Sequence, residues 1–281
     1  MTALLGGLGA AVCWAISALC ASAASRSIGS ASTLAWVMGL GLAGIVVPTA
    51  VLAPPSQLTA RIVGLIVLAG ATNVVGLLIE YAAFRRGKVG VITAIASTEG
   101  VIAAAIAVVF GAHLGAGTAA VLVAVAVGVA LAASRPDTGA EVGAGIRSAV
   151  LAIPVALLFG VSLYATGRVG REASVLWVLV PARLLGTVLV MAPMRARGLL
   201  RPPGRALPLV AAAAAAEVVG ILSYELGARH GIAVAAVVAS QFAALAALGA
   251  FVILHERLAA RQLAGLVVIA AGVGLLAAGP P

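Results

Sequence analysis

Three charged side chains stand inside otherwise apolar stretches of this sequence: Glu99, Arg183 and Glu217. A charge at the centre of a bilayer costs at least about 2.5–3.5 kcal/mol, so a membrane helix that keeps one is expected to give it a partner or a function. A buried glutamate can carry a proton, and a guanidinium binds a carboxylate through two parallel hydrogen bonds. We therefore predict proton-linked or polar contacts with a solute at Glu99 and Glu217, with Arg183 as the counter-charge of Glu217.

Each of these charges also has a plain structural alternative. Glu99 could be a protonated side chain that is hydrogen-bonded to a neighbouring helix, and Glu217 with Arg183 could be a salt bridge that only fixes helix packing. Arg183 could instead contact an anionic group of the solute. Further candidates for the same cavity, each with helix packing as its alternative, are Asn73, Gln241, Trp14, Tyr164 and Tyr224.

Two more acidic residues, Glu80 and Glu225, lie near predicted helix ends, each with an arginine four or five residues onward. Glu225 and Arg229 form an i,i+4 pair of the kind that stabilises a helix. For both acids we favour snorkelling of the side chain to the membrane interface.

The residues that enzyme chemistry would need are missing. Asp137 is the only aspartate, so the spaced aspartate pairs of Mg-diphosphate chemistry are excluded. The three histidines, His113, His230 and His255, show no HExxH or other metal-ligand spacing, and the chain has no Walker A sequence. We therefore predict no enzyme activity, no metal and no cofactor, with proton coupling left open.

The elements that position the candidate residues must lie in a membrane. Of the 281 residues, 63% are hydrophobic and 9% are charged, and the mean hydropathy is +1.23. Soluble domains carry about a quarter charged residues. A formal charge of +9 would suggest nucleic acid in a soluble chain, but the 17 basic residues are too scattered for a face that follows phosphates. The sequence predicts an integral membrane protein that binds no nucleic acid.

Charged residues, prolines and glycines divide the chain into ten apolar segments. A membrane helix needs roughly 20 apolar residues, whereas a membrane barrel would show alternating segments of about 10 residues. The segments here are long and rich in Ala, Leu and Gly, which predicts an all-α fold. The predicted spans are 3–24, 31–52, 62–84, 89–111, 117–134, 148–167, 174–194, 206–228, 232–254 and 262–278.

The two halves of the chain resemble each other. The matched pairs are Trp14 with Phe159, Ser17 with Ser162, Pro48 with Pro193, Asn73 with Glu217 and Ser97 with Ser240, at offsets between 143 and 145 residues. Small residues also recur at matching depths of spans four and nine, where they would let helix backbones approach closely. Chance alignment in an Ala-rich chain is the alternative to duplication.

Duplication predicts a first five-helix repeat over 1–134, a linker over 135–147 and a second five-helix repeat over 148–281. Because five is an odd number, the second repeat must be inverted in the membrane relative to the first. Inverted repeats are the architecture of carriers that work by alternating access, with the substrate near the midplane where the halves meet.

Ten helices in a five-plus-five duplication resemble the EamA branch of the drug/metabolite transporter superfamily. Spans four and nine of that family typically end in a Gly-Glu-Arg-like signature. The second repeat has a similar segment, Leu254-His255-Glu256-Arg257-Leu258, whereas Gly111-Ala112-His113-Leu114 of the first repeat lacks the acid. Span seven carries Arg183 where the family often has an arginine, and the equivalent in span two is Met38. The resemblance implies gradient-driven export or exchange of metabolites, amino acids or drugs.

The basic residues conflict with the family over orientation. With a cytoplasmic N-terminus, which is usual in the family, twelve basic residues lie in outside loops and four in inside loops. This is the reverse of the positive-inside rule. The charge count therefore favours both termini outside, chiefly because of the basic cluster at 195–205, unless the number of spans is off by one.

Together these observations predict a secondary transporter of a small organic metabolite or drug, an exporter that works by alternating access as a multi-pass protein of the inner (plasma) membrane. A lipid-linked substrate flippase of the same fold is the alternative, followed by a non-transporting membrane protein. The expected partners are a small-molecule solute and the lipid bilayer, and a homodimer is left open.

Overall fold

A computed structural model describes residues 1–53, 58–84, 95–133, 142–174 and 176–246, with a few single positions or pairs at 92, 248, 260–261, 264–265, 267–268, 271–272 and 275. Several sequence features lie wholly or mostly outside these residues: the 254–258 segment, predicted span ten, and residues 135–141 of the predicted linker. Regular structure in the described ranges is helical, and they contain no strand.

The first half of the chain forms helices at predicted spans one to five. They are α1 (Thr2–Ile28), α2 (Ser30–Leu52), α3 (Ala60–Phe84), α4 (Glu99–Val109) and α5 (Ala116–Ala133). A single residue, Gly29, joins α1 to α2 with a φ of 90°. Only glycine adopts this left-handed conformation without steric cost, which explains how two long helices follow each other so closely.

The second half forms helices at predicted spans six to nine. They are α6 (Val142–Gly170), α7 (Leu176–Gly186), α8 (Leu207–Ala228) and α9 (Ile232–Ala239). Helix α6 begins six residues before its predicted start at 148, so the end of the predicted linker is helical. A π-helical turn, Thr187–Met191, and a short helix, Ala192–Ala196, continue α7. Pro193 follows the π-helical turn and has no N–H to donate to the regular i→i−4 ladder.

Predicted spans four and nine both contain breaks that the sequence analysis did not identify. Turns interrupt them at residues 97–98 and 240–241. The Thr98 hydroxyl donates to the carbonyl of Ile95 at 2.8 Å, and the Ser240 hydroxyl donates to the carbonyl of Val237 at the same distance. Such local side-chain bonds compete with the helical ladder. The sequence alignment pairs Ser97 with Ser240, so the two breaks lie at matching positions.

Helices of the first half pack mainly on helices of the second. Helix α1 packs against α8, α3 against α6, α4 against α9 and α2 against α7. Small residues permit these contacts: a methyl group added at Gly100 would lie 2.6 Å from the carbonyl oxygen of Ala236. In lipid, such close approach of backbones is a main source of helix association.

Six helical segments are long and apolar enough to cross a membrane. They are Thr2–Ile28, Ser30–Leu52, Ala60–Phe84, Val150–Gly170, Leu176–Ala196 and Gly204–Ala228. Shorter apolar helices cover Glu99–Val109, Ala116–Gly128 and Ile232–Ala246. The chain is therefore a multi-pass, all-helical membrane protein over the residues described.

Candidate functional site

A cavity of about 500 Å³ lies where the two halves of the chain meet. The described lining consists of Trp14, Ser17 and Ala18 on α1, Asn73, Leu77, Glu80 and Tyr81 on α3, Glu99 on α4, Phe159, Ser162 and Leu163 on α6, Glu217 on α8, and Phe242 just beyond α9. Four of the predicted site residues, Trp14, Asn73, Glu99 and Glu217, are thus brought together.

A buried ion pair stands behind one wall of this cavity. The Nη2 atom of Arg183 lies 3.5 Å from Oε2 of Glu217, which makes Arg183 the counter-charge that the sequence predicts. The Ser17 hydroxyl donates to the other carboxylate oxygen of Glu217 at 3.1 Å. Arg183 itself is fully buried and is absent from the described lining. The pair joins α7 and α8 to each other, and Ser17 adds α1.

Arg183 also contacts the helix that matches its own in the other half. Its Nη1 atom lies 3.4 Å from the sulfur of Met38 on α2, and its Cδ atom would lie 3.2 Å from a methyl group at Gly41. A larger residue than glycine at 41 would therefore crowd the arginine. Met38 is the residue that the repeat aligns with Arg183, so the two equivalent positions touch each other.

Glu99 lies at the first residue of α4, directly after the break at 97–98. Its side chain is buried and lines the cavity. Among the residues described, no hydrogen-bond donor or cation reaches its carboxylate. The helix N-terminus favours negative charge at this position, so the break both exposes Glu99 to the cavity and gives its carboxylate a favourable dipole.

Glu80 also lines the cavity, and the predicted snorkelling of this residue is wrong. The residue is only 5% exposed, because its position on α3 faces the helices of the second half rather than the membrane interface. As with Glu99, no described side chain supplies a partner for its carboxylate. Glu80 was missed as a site residue because its nearness to a predicted helix end suggested an interfacial place.

Snorkelling is also wrong for Glu225, which is 1% exposed. The predicted i,i+4 pair is confirmed: Nε of Arg229 lies 2.6 Å from Oε1 of Glu225. Arg229 is the partly exposed member of the pair, with 45% of its side chain accessible. The arginine therefore extends towards the helix end, and the acid stays packed against Gly170 on α6.

Four predicted site residues are not among the described lining of the cavity: Arg183, Gln241, Tyr164 and Tyr224. Tyr224 is fully buried and donates its hydroxyl to the carbonyl of Leu163 at 2.9 Å. Tyr164 stacks on Phe110 with 5.5 Å between the ring centroids. Gln241 is buried in the break after α9, and its Nε2 atom has no partner in the described structure.

Other lining residues escaped selection although the sequence carried a signal for some of them. Ser17 and Ser162 were matched in the repeat but were not chosen as site residues, since serine is common in membrane helices. Ser162 donates to the carbonyl of Ala69 on α3 at 3.0 Å. Tyr81 follows Glu80 directly, and its buried hydroxyl lies near the hydroxyl of Ser17. Within the same residues no three His, Cys, Asp or Glu side chains form a group that could hold a metal ion.

Residues 1–134 match a known family, described as the EamA-like transporter family. A solved crystal structure, described only as that of a protein, has the same fold: its TM-score is 0.75, at 15% sequence identity over 98% of this chain and 96% of that chain. No curated protein sequence matches the chain. The family match confirms the resemblance seen in the sequence, and the solved structure extends the likeness of fold to the whole length.

Proposed function

We propose that the protein is a secondary transporter that exports a small organic solute by alternating access, since residues 1–134 match the EamA-like transporter family. The observation that carries this proposal is the cavity between the halves, lined from one side by α1, α3 and α4 and from the other by α6, α8 and Phe242. A site at such a junction becomes accessible from alternate sides when one half rocks against the other.

The ten-span inverted repeat is part of this proposal, and contacts around the cavity support it. A methyl group at Gly220 would overlap the Trp14 indole, and one at Gly76 would overlap the Phe159 ring. The repeat aligns Gly76 with Gly220 and Trp14 with Phe159, so the two contacts are equivalent. The helix pairs α1–α8 and α3–α6 are equivalent in the same way.

The matching breaks in spans four and nine give further support. Discontinuous helices near the midplane are typical of substrate and ion sites in inverted-repeat carriers, because their free ends present polar groups to the cavity. In this chain the first break is followed by Glu99 and the second by Phe242, and both residues line the cavity. The broken spans thus supply one acidic and one aromatic wall.

We further propose that Glu99 and Glu217 couple transport to protons or contact the solute directly, together with Trp14 and Asn73. Glu99 has the freer carboxylate, since Glu217 is held by Arg183 and Ser17. A carboxylate without a fixed partner can exchange a proton for a solute contact as the halves move. Arg183 then acts through Glu217 by holding its position.

Metabolite profiling of cells with and without the chain tests the function and names the solute. We expect one or a few small organic solutes to rise outside and fall inside the cells that express it. A matched strain that expresses the Glu99→Gln and Glu217→Gln double variant controls for effects of membrane overproduction. Identical solute levels in all three strains would contradict the proposed export.

Purified protein in liposomes then tests the coupling with the solute that profiling identifies. Glu99→Gln and Glu217→Gln should each abolish uptake driven by a pH gradient, while Glu172→Gln serves as the control. Glu172 is an acid outside the cavity that pairs with Arg61 and Arg168. Full pH-driven flux in both cavity variants would remove the coupling assignment and leave transport itself in place.

A lipid-linked substrate flippase of the same fold is the alternative function. Liposomes that contain a fluorescent lipid with a bulky headgroup test the alternative. Protein-dependent movement of that lipid between leaflets, without flux of soluble metabolites, would favour the flippase.

For the orientation we propose that both termini face outward, in the inner (plasma) membrane. The basic cluster Arg195, Arg197, Arg201 and Arg205 is exposed between α7 and α8, and the positive-inside rule places such loops in the cytoplasm. A C-terminal reporter that is active only in the cytoplasm should therefore be inactive. Strong reporter activity would reverse the assigned orientation.

A further inference from the structure

The described lining of the cavity holds three acidic side chains and no basic one. Glu217 has a cationic partner, but no described cation lies within ion-pair distance of Glu80 or Glu99. Lys, Arg and His are all absent from the described lining. An isolated ionised carboxylate is very costly in an apolar interior, so each of these two groups needs either a proton or a cation that is not among the described residues.

Two uncharged polar groups at the same cavity can accept further hydrogen bonds. The Oδ1 atom of Asn73 has no partner among the described residues, and the hydroxyl of Tyr81, a residue that is 1% exposed, has only the nearby hydroxyl of Ser17. Buried polar atoms of native proteins are nearly always satisfied. An acceptor oxygen without a donor, next to two carboxylates that have no partner among the described residues, fits a ligand that brings N–H donors and positive charge.

The remaining lining is aromatic and apolar. Trp14 and Phe242 meet edge to face with 6.5 Å between their ring centroids, and Phe159 lines the cavity with them. Aromatic faces attract organic cations as well as apolar groups. The lining therefore offers an apolar surface and an acidic surface to one ligand.

We propose that the solute of this cavity is a small amphipathic organic cation, an ammonium compound whose charge is bound by Glu80 and Glu99 and whose apolar part packs on Trp14, Phe159 and Phe242. The statement that the bound cation is also the transported solute rests on the proposed function. The binding itself does not depend on transport. Tyr81 and Asn73 position the ammonium group by accepting its hydrogen bonds.

Three probes of nearly equal size separate the contribution of charge: 2-phenylethylammonium, the neutral 2-phenylethanol and the anionic phenylacetate. Calorimetric titration of the purified full chain at neutral pH should give a dissociation constant for the ammonium about tenfold lower than that for the alcohol, because charge-assisted hydrogen bonds are roughly twice as strong as neutral ones. Phenylacetate should bind more weakly than the alcohol.

The Glu80→Gln and Glu99→Gln double variant should remove the preference, so that ammonium and alcohol bind within about twofold of each other. Retained binding of the alcohol shows that the variant is folded with its apolar walls in place. Glu225→Gln is the matched control, since Glu225 is equally buried but is paired with Arg229 and does not line the cavity. It should keep the preference of the unaltered chain.

Equal binding of ammonium and alcohol, a preference that survives in the double variant, or binding of none of the three probes would each overturn the inference. Tightest binding of phenylacetate would overturn it too and would assign recognition of charge to Arg183. If the chain binds the ammonium but transports no solute, the proposed function is contradicted and this inference is not. If the chain exports a neutral or anionic solute without charge preference, this inference is contradicted and the proposed function is not.

Discussion

The two acidic walls of the cavity differ in how their charge is held. On the α8 side, Glu217 is fixed by Arg183 and by Ser17 from α1. On the α3 and α4 side, Glu80 and Glu99 line the cavity without a described partner. A carboxylate that is tied to an arginine fixes the packing of helices, whereas one without a partner remains available to a proton or ligand. The comparison teaches that burial of an acid does not by itself identify its role.

The same contrast appears when equivalent positions of the two halves are compared. The neutral Met38 and Asn73 stand in the first half where Arg183 and Glu217 stand in the second. Only the second half therefore carries the ion pair, and Arg183 extends from it to Met38. The two halves pack in equivalent ways but carry different side chains at the equivalent polar positions.

The largest expected effect comes from removing the ion pair, which is present on the α8 side of the cavity but not on the α3 and α4 side. Arg183→Met places the equivalent first-half residue at this site and leaves Glu217 buried without its counter-charge, which should cost about 3–5 kcal/mol of unfolding free energy. Unfolding titrations in mixed micelles measure this quantity. The double variant Arg183→Met with Glu217→Gln should recover much of the loss. If Arg183→Met is as stable as the unaltered chain, the ion pair does not stabilise the fold.

The next largest effect tests whether equivalent glycine–aromatic contacts in the two halves contribute equally to stability. A methyl group at Gly76 overlaps Phe159, and one at Gly220 overlaps Trp14, so Gly76→Ala and Gly220→Ala should each destabilise the chain by about 1–3 kcal/mol. The control is Gly64→Ala, which meets nothing within 4 Å and should raise helix stability by up to about 1 kcal/mol. Thermal unfolding of the three variants measures both signs. If Gly76→Ala and Gly220→Ala behave unequally, the equivalence of the two contacts fails.

A smaller effect distinguishes the equivalent serines. Ser17→Ala removes a hydrogen bond to the Glu217 carboxylate, and we expect a loss of about 1–2 kcal/mol because the acceptor is charged. Ser162→Ala removes a bond to the backbone carbonyl of Ala69 and should cost only about 0.6 kcal/mol, the average for such bonds in membranes. The same unfolding titrations provide the comparison. Equal losses would mean that the charge of Glu217 adds nothing to its bond with Ser17.

The smallest expected effect on stability falls on the acids without partners. Glu80→Gln and Glu99→Gln keep the size of the side chain and break no described ion pair, so each should change the free energy of unfolding by no more than about 1 kcal/mol, the cost of a typical substitution. Glu217→Gln, measured beside them, should cost more because Arg183 loses its partner. A loss at Glu99 as large as that at Arg183 would assign Glu99 a structural role.

Much of the fold was predictable because hydropathy is a local property of the chain. Seven predicted spans coincide with helices to within a few residues, apart from the early start of α6, and the described parts of spans four and nine are helical on both sides of their breaks. Those breaks escaped prediction because the surrounding residues are apolar and small, and a turn that is satisfied by Thr98 or Ser240 leaves hydropathy unchanged. The place of Trp14, Asn73, Glu99 and Glu217 at one cavity followed from the repeat and from their polarity in apolar segments.

The sequence by itself determined that the chain lies in a membrane, where its helices run and which charges stand within them, since each of these follows from neighbours along the chain. Only the tertiary structure decided which of those charges meet. Ser17 bonds to Glu217 across 200 positions of sequence, and Glu80 faces the cavity rather than the interface because α3 packs against α6. The partners of a buried acid depend on how distant helices pack against each other, and hydropathy along one helix carries no information about that packing.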